Sequence, residues 1–368
     1  MKILYDGEIY TIQRVGGINR YFDNLISRLP LNFEPILTST RSRNDPHPHH
    51  PNLKVFNYKR YGFKPGRASY WLEKYYFRVV ESINQSQVLH PTYYSLLTRQ
   101  EFKDKRCPVI LTVHDMIHEI FPDCVMDQGG QFAKIKCQAV LKADMILCVS
   151  ENTKKDLLER YPLLEDKVRV TYLATEFSIN NGLEPCHKPI PSCPFFLYVG
   201  ARWTYKNFNN LLIALAKIVS KVPDVLLCVV GSPFDSTEKK QISKLSLDKH
   251  IKNFSYISDE HLAKFYRNCV AFVYPSLYEG FGIPLLEAMT CQAPIIASNT
   301  SSFPEVVGDA GLLFEPTSVA DLADRLLFLL DNPAKRDILI MKGLERVKHF
   351  SWDKTIAQTV EAYRSIMN

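Results

Sequence analysis

Short apolar runs alternate with longer stretches of helical period along almost the whole chain. The apolar runs are rich in Val, Ile, Leu and aromatic residues and read as buried strands. A first series falls at Lys2–Tyr5, Pro35–Thr38, Val88–His90, Val109–Val113, Met145–Val149 and Val168–Thr171. A second falls at Phe195–Val199, Val225–Val230, Asn253–Tyr256, Ala271–Tyr274 and Pro294–Ala297. Strands separated by helices predict an α/β fold with doubly wound parallel sheets. Between the two series, Ser178–Pro194 holds four prolines and a glycine, which disfavour any regular element and mark a linker. The expected division is a domain at 1–180, a linker at 181–194, a second domain at 195–350 and a terminal segment at 351–368. That segment carries a last helix over Trp352–Ile366.

Length agrees with this division. With 368 residues the chain suits two cores of about 150–200 residues each. Hydrophobic residues make up 46% and charged ones 23%, an ordinary balance for a soluble globular protein. The first residues read as a strand, without the apolar region and cleavage site of a secretory signal. No apolar window is long enough to cross a bilayer, so a cytoplasmic protein is expected. Nine cysteines are scattered without a C-x-x-C pair, which argues for free structural thiols over a disulfide framework or a zinc site. The net charge of +6 is uneven, since residues 1–110 carry 17 Lys and Arg against 9 Asp and Glu. His47, His49 and His50 lie in a loop broken by prolines that hold them apart, which disfavours a metal cluster.

The densest chemistry lies at Glu279-Gly-Phe-Gly-Ile-Pro-Leu-Leu-Glu287. Two carboxylates eight positions apart bracket a turn and a helix start. Gly280 and Gly282 let the backbone approach a bound group closely. Pro284 suits a first helical turn, where its missing N–H costs nothing. The free N–H groups there form an anion site, with one acid placed for a sugar and the other for a ribose. Phe195–Gly200 is a buried strand ending in glycine, and Arg202 and Lys206 follow it. In open α/β sheets ligands bind beyond the carboxyl ends of strands, so both cations can reach a diphosphate, Arg as a fork and Lys as a point charge. Alone, the pair reads equally as a solvated helix start.

The run Tyr274-Pro-Ser-Leu-Tyr-Glu-Gly-Phe-Gly-Ile-Pro-Leu-Leu-Glu-Ala-Met289 resembles the E-x7-E signature of family 4 retaining glycosyltransferases. The Arg202–Lys206 spacing resembles the family's R-x-x-x-K pattern. The resemblance covers most of 195–352 and only short islands before it. It implies a GT-B fold of two facing Rossmann-like domains, the second holding a nucleotide sugar and the last helix crossing back to the first. By resemblance, Glu279 and the backbone of Gly280, Phe281, Gly282 and Ile283 hold the donor sugar, and Glu287 bonds the ribose. Arg202 and Lys206 would stabilise the departing diphosphate. The segment after Tyr256, including Ile257, would sit at the nucleobase.

His114, after the strand Val109–Val113, matches a family histidine near the donor sugar, although a lone histidine there is more often structural. Asp115 is either its orienting partner or a helix cap. Gly16 and Gly17 precede a helical stretch and would bring backbone near the donor phosphates, or else form a simple tight turn. Asn19 stands where many relatives carry a third glycine. Ser150 or Asn152 reads as a helix cap. Cys291-Gln292 stands where members of the resembling family commonly show a small residue and a glycine. There is no Asp-x-Asp triplet, so no metal ligand is expected and the two cations would neutralise the leaving group.

Residues 54–78 interleave seven basic residues with nine aromatics. They read either as a helix packed by its aromatics or as a docking face for anionic lipid. The expected activity is retaining transfer of a hexose, glucose from UDP, to a glycan or lipid-linked acceptor in polysaccharide biosynthesis, with no cofactor and no nucleic acid. A nucleotide-sugar epimerase or hydrolase, or a non-enzymatic two-lobed sugar or nucleotide binder, is the alternative. A dehydrogenase is disfavoured by the missing G-x-G-x-x-G.

Overall fold

A computed structural model of the chain describes residues 1–13, 16–40, 47–57, 66–97, 106–124, 130–180, 189–255 and 257–367. They form two compact units. The first takes its residues from 1–122, 127–173 and 352–368, and the second from 123–126 and 174–351.

In the first unit the strands are β1 (Lys2–Asp6), β2 (Glu34–Ser39), β3 (Lys54–Asn57), β4 (Val88–Leu89), β5 (Ile110–Val113), β6 (Met145–Cys148) and β7 (Val168–Val170). Four of them run in the order β3-β2-β1-β4 and three in the order β5-β6-β7. A parallel bridge between Leu89 and Val109 links the two groups. Every pairing is parallel. Leu4, Ile36 and Leu89 from the strands meet Val80, Leu96 and Val109 in one apolar cluster.

The helix Trp352–Ser365 belongs to this unit, as the sequence expectation held. It docks through polar and aromatic contacts. The Tyr363 hydroxyl lies 2.9 Å from that of Tyr5 and 2.6 Å from His90 Nδ1. Thr355 donates to the Tyr172 carbonyl at 2.6 Å, and Trp352 packs on Tyr21 with ring centres 6.4 Å apart. His90 Nε2 bonds Thr112 at 2.8 Å, so both ring nitrogens are engaged by hydroxyls inside the core.

The second unit holds β8 (Phe195–Val199), β9 (Leu226–Val230), β10 (Ile251–Phe254), β11 (Ala271–Tyr274), β12 (Ile295–Ser298) and β13 (Gly311–Phe314). The order is β10-β9-β8-β11-β12-β13, with parallel pairing throughout. This is the doubly wound order 3-2-1-4-5-6, and its direction reverses between β8 and β11. A core of strand and helix residues including Phe196, Leu211, Leu215, Leu227, Val273 and Leu326 fills the unit.

The pattern of apolar runs missed β3 and β13 and set β10 two residues late. These strands lie at sheet edges. β3 and β10 carry Lys54 and Lys252 outward, and β13 opens on a glycine and is half-buried, so none presents an unbroken apolar run.

The helix Gly66–Asn84 covers part of the basic aromatic stretch, and residues 58–65 lie outside the described residues. Tyr76 donates to the Asn57 carbonyl and Val80 is buried, whereas Trp71 is 65% and Tyr75 59% exposed. Their rings stack 5.9 Å apart on the open face. Among the described residues no helix is long and apolar enough to cross a membrane.

Candidate functional site

The turns that follow β8 and β11 meet where the second sheet reverses direction, the position at which open α/β sheets bind ligands. After β8 the chain passes through Gly200, at φ +124°, a conformation that a side chain would strain. Arg202 comes next, then a single 3-10 turn at Thr204–Lys206 and Asn207 at φ 57°. Asn207 fixes the start of the helix Phe208–Val219 by donating to the Pro316 carbonyl at 2.8 Å.

After β11 the turn is tied down by hydroxyls. Ser301 accepts from the Glu279 N–H at 3.2 Å and donates to the Glu279 carbonyl at 2.5 Å. Ser302 donates to the carbonyls of Glu279 and Phe281 at 3.1 and 2.9 Å. Gly282 stands at φ 100°, and a Cβ there would lie 3.0 Å from Leu285 Cδ1 and 3.4 Å from the Tyr274 ring. Glycine is therefore required at that point. The helix Ile283–Thr290 starts immediately after, with Pro284 in its first turn. The Phe281 side chain is core, 5.7 Å from the Phe350 ring, so only its backbone is open to a ligand role.

Lys206 and Glu279 come together: Lys206 Nζ donates to Glu279 Oε1. Ser276 also donates to that oxygen, at 2.9 Å. The ammonium lies 5.1 Å from the Tyr205 ring centre and 5.8 Å from that of Tyr274. Burial first, and then the charge of Glu279, drives the Tyr274 hydroxyl far above its ordinary range, so it stays protonated. Glu287 is buried on the inner side of its helix and accepts from Tyr266 at 3.2 Å. Ile257 is half-buried in the loop after β10, just before Ser258, which caps the helix Asp259–Asn268.

Arg202 stands apart from this pair. Nε and Nη2 grip Glu238 at 2.5 and 3.1 Å, and Nη2 also donates to the carbonyls of Ser232 and Pro233. The fork that sequence reasoning offered to a diphosphate is thus engaged by a carboxylate. Glu238 was not among the expected site residues. Its signal was present as Asp235-Ser-Thr-Glu238, a capping box at the start of the helix Ser236–Lys244.

The other expected residues belong to the first unit. His114 follows β5. Its N–H donates to the Tyr94 hydroxyl at 3.1 Å, and its ring packs edge-on against Tyr21 at 5.3 Å. Burial holds its pKa down at about 4, with Asp115 opposing and Lys136 reinforcing the shift, so the ring is neutral. Nε2 is buried and has no partner among the described residues. Lys136, fully buried, was also missed. It donates to the Asp115 carbonyl at 2.6 Å and to Glu119 at 2.9 Å, and so holds the loop that carries His114. Asp115 bonds the Ile117 N–H at 3.1 Å in the manner of a cap.

Gly16 precedes the helix Gly17–Ser27, and a Cβ on Gly17 would meet nothing within 4 Å, which leaves open space there. Of the two expected caps, Ser150 is the one at the start of the helix Glu151–Arg160, where its hydroxyl accepts from the Thr153 N–H at 2.9 Å. His50 is buried and bonded to the Leu29 carbonyl. Among the described residues no group of three or more His, Cys, Asp or Glu is placed to hold a metal.

A cation, a carboxylate and glycine-lined backbone at the switch point of a doubly wound sheet suit a phosphate-bearing ligand. Residues 188–346 match the family model described as glycosyl transferases group 1, and residues 15–176 match that of glycosyltransferase family 4. An O-antigen chain mannosyltransferase B of Escherichia coli is 32% identical over 266 residues, covering 69% of this chain and 70% of that one. A mannosyltransferase of Mycolicibacterium hassiacum, named MMP alpha-(1->4)-mannosyltransferase, is 30% identical over 63% of this chain and 56% of its own. Among solved structures, a sucrose-phosphate synthase of Thermosynechococcus elongatus superposes with a TM-score of 0.78. It covers 99% of this chain and 98% of its own at 21% identity, a likeness of fold. The chain belongs to glycosyltransferase family 4, as a retaining hexosyltransferase of GT-B-like fold.

Proposed function

We propose that the chain transfers a mannosyl residue, with retention, from a nucleoside diphosphate to a growing glycan or lipid-linked chain. The observation that carries the donor site is the Lys206–Glu279 pair at the switch point, beside the glycine-lined helix start. A diphosphate replaces Glu279 on the Lys206 ammonium, which then faces the charge that builds as the leaving group departs. Glu279, released, turns to the sugar hydroxyls together with the backbone from Gly280 to Ile283. Glu287 accepts from the ribose and Ile257 lines the base, and for Gly16, Gly17 and neutral His114 we keep the donor-binding roles that the family resemblance implies. Departure and attack occur on one face, with no covalent nucleophile.

The sugar is where the reading departs from sequence. Glucose from UDP was the expectation, and the relatives named as mannosyltransferases favour mannose. Consumption of UDP-glucose, GDP-mannose and ADP-glucose is measured with and without a polysaccharide-primer acceptor. Acceptor-dependent turnover of the mannose donor is expected, undiminished by EDTA because Lys206 supplies the countercharge. Turnover of a glucose donor alone overturns the sugar. Donor loss without any acceptor supports the hydrolase or epimerase reading instead.

A second reading concerns the setting of the reaction. The stacked, exposed Trp71 and Tyr75 on the helix Gly66–Asn84, in a stretch dense in Lys and Arg, suit contact with an anionic membrane at its inner face. Vesicles containing anionic lipid should carry the protein up a flotation gradient at low salt, and Trp71→Ala should reduce that fraction severalfold. Recovery of all the protein at the bottom ends this reading.

A further inference from the structure

We propose that Glu238 is the resident partner of Arg202, which the donor's diphosphate displaces, so that Glu238 is a positioning residue setting donor affinity. This rests on the donor-site reading above and adds to it a competitor within the protein.

Arg202 is parked against Glu238. Its side chain is 4% exposed, and the guanidinium lies 4.9 Å from the Phe234 ring centre and 5.7 Å from that of Phe208. The Nε–Nη2 edge is filled by Glu238 and by the Ser232 and Pro233 carbonyls. The remaining nitrogen, Nη1, is buried without a partner among the described residues. It faces Gly231, where a Cβ would lie 3.2 Å from Nη1 and 2.6 Å from the Gly200 carbonyl. The slot exists because residue 231 has no side chain. From this position no edge of the guanidinium is open to a phosphate.

Two features make the exchange feasible. The unpartnered Nη1 leaves the parked state short of two charge-assisted bonds, which a phosphate oxygen supplies. Glu238, in turn, does not depend on Arg202 to hold its place. Its Oε2 accepts from the Asp235 N–H at 2.8 Å, while Asp235 accepts from the N–H groups of Thr237 and Glu238 at 2.8 and 2.9 Å. The Glu238 side chain is 18% exposed, so water reaches it when the guanidinium leaves. Arg202 therefore has two anionic partners, one built into a helix cap and one arriving with the donor, and the affinity measured is the difference between them.

The test is calorimetric titration of the full chain with UDP, GDP and ADP as probes. Glu238→Gln keeps an acceptor for Asp235 and removes the charge. It should tighten binding of the favoured nucleotide by about tenfold, the factor that roughly 1.4 kcal/mol of lost competition carries. Glu238→Ala should move affinity in the same direction. In Arg202→Met/Glu238→Gln the gain should vanish. Unchanged or weakened binding in Glu238→Gln overturns the proposal, as does failure of both Glu238 variants to fold, which would make the pair a structural staple. If Arg202→Met binds like wild type while Lys206→Met does not, the proposal falls and the donor site stands. If no nucleotide binds the wild type, both fall.

Discussion

Lys206→Met lowers kcat by about 10²–10³-fold, the usual cost of removing one preorganised group aimed at developing charge. The fold should survive it. Lys206 ends the 3-10 turn after β8, outside the apolar core cluster, and its ammonium touches Glu279 and two aromatic faces. Its loss leaves Glu279 without its cation, held by Ser276 alone at that oxygen, so an uncompensated carboxylate faces an incoming diphosphate. The donor KM rises as well as kcat falling. Glu279→Gln in the same background should recover part of the KM and none of the kcat, because it removes the repulsion without restoring the charge. Steady-state kinetics alongside melting curves separate the two. A Lys206→Met enzyme retaining more than about a tenth of wild-type kcat would place the cation away from the leaving group.

The second large effect is loss of stability in mild acid. Burial, with the nearby His114 adding to it, depresses the pKa of His90 to about 3, and burial depresses that of His114 to about 4. In the unfolded chain both titrate near 6.5. Between those values the unfolded state binds more protons than the folded one, so stability is full above pH 6.5 and falls as pH drops toward 4. Near pH 4.5 the two rings together remove about 5 kcal/mol, at 1.4 kcal/mol per pH unit each. That is comparable with the whole stability of many domains. Urea midpoints followed by circular dichroism from pH 7.5 to 4.5 should drop steeply below 6.5, and His90→Gln should flatten the slope by about half. Equal slopes would mean that His90 is protonated in the folded state.

The legibility of the chain followed where its signals were local. Central strands such as β8, β9 and β11 are continuous apolar runs and could be placed from sequence, as could the Gly282–Pro284 helix start, because its glycine and proline answer to backbone geometry. The edge strands β3 and β13 could not, since β3 begins and ends on exposed polar residues and β13 is a short half-buried run opening on a glycine. Lys206 and Glu279 are 73 positions apart, and only the order of strands brings them into contact. Glu238 and Lys136 were missed for the same reason. Each looks like an ordinary helical charge until its partner arrives from another element. Gln292 is a smaller case. Its φ of 63° explains why a glycine serves well at that position, and its side chain accepts from Arg267 at 2.7 Å.

The helix Trp352–Ser365 has a consequence for the order in which the protein is completed. The second unit has all its strands by Phe314 and its last residue at Ser351. The first unit, made earlier on the ribosome, still lacks Trp352, Thr355 and Tyr363, which close its core over Tyr21, Tyr172, Tyr5 and His90. The part synthesised first is thus finished last, reversing the usual N-terminal-first course of folding during synthesis. Until then His90 and Tyr5 wait at an open face, and a chain shortened by its final turns forfeits the unit at its opposite end.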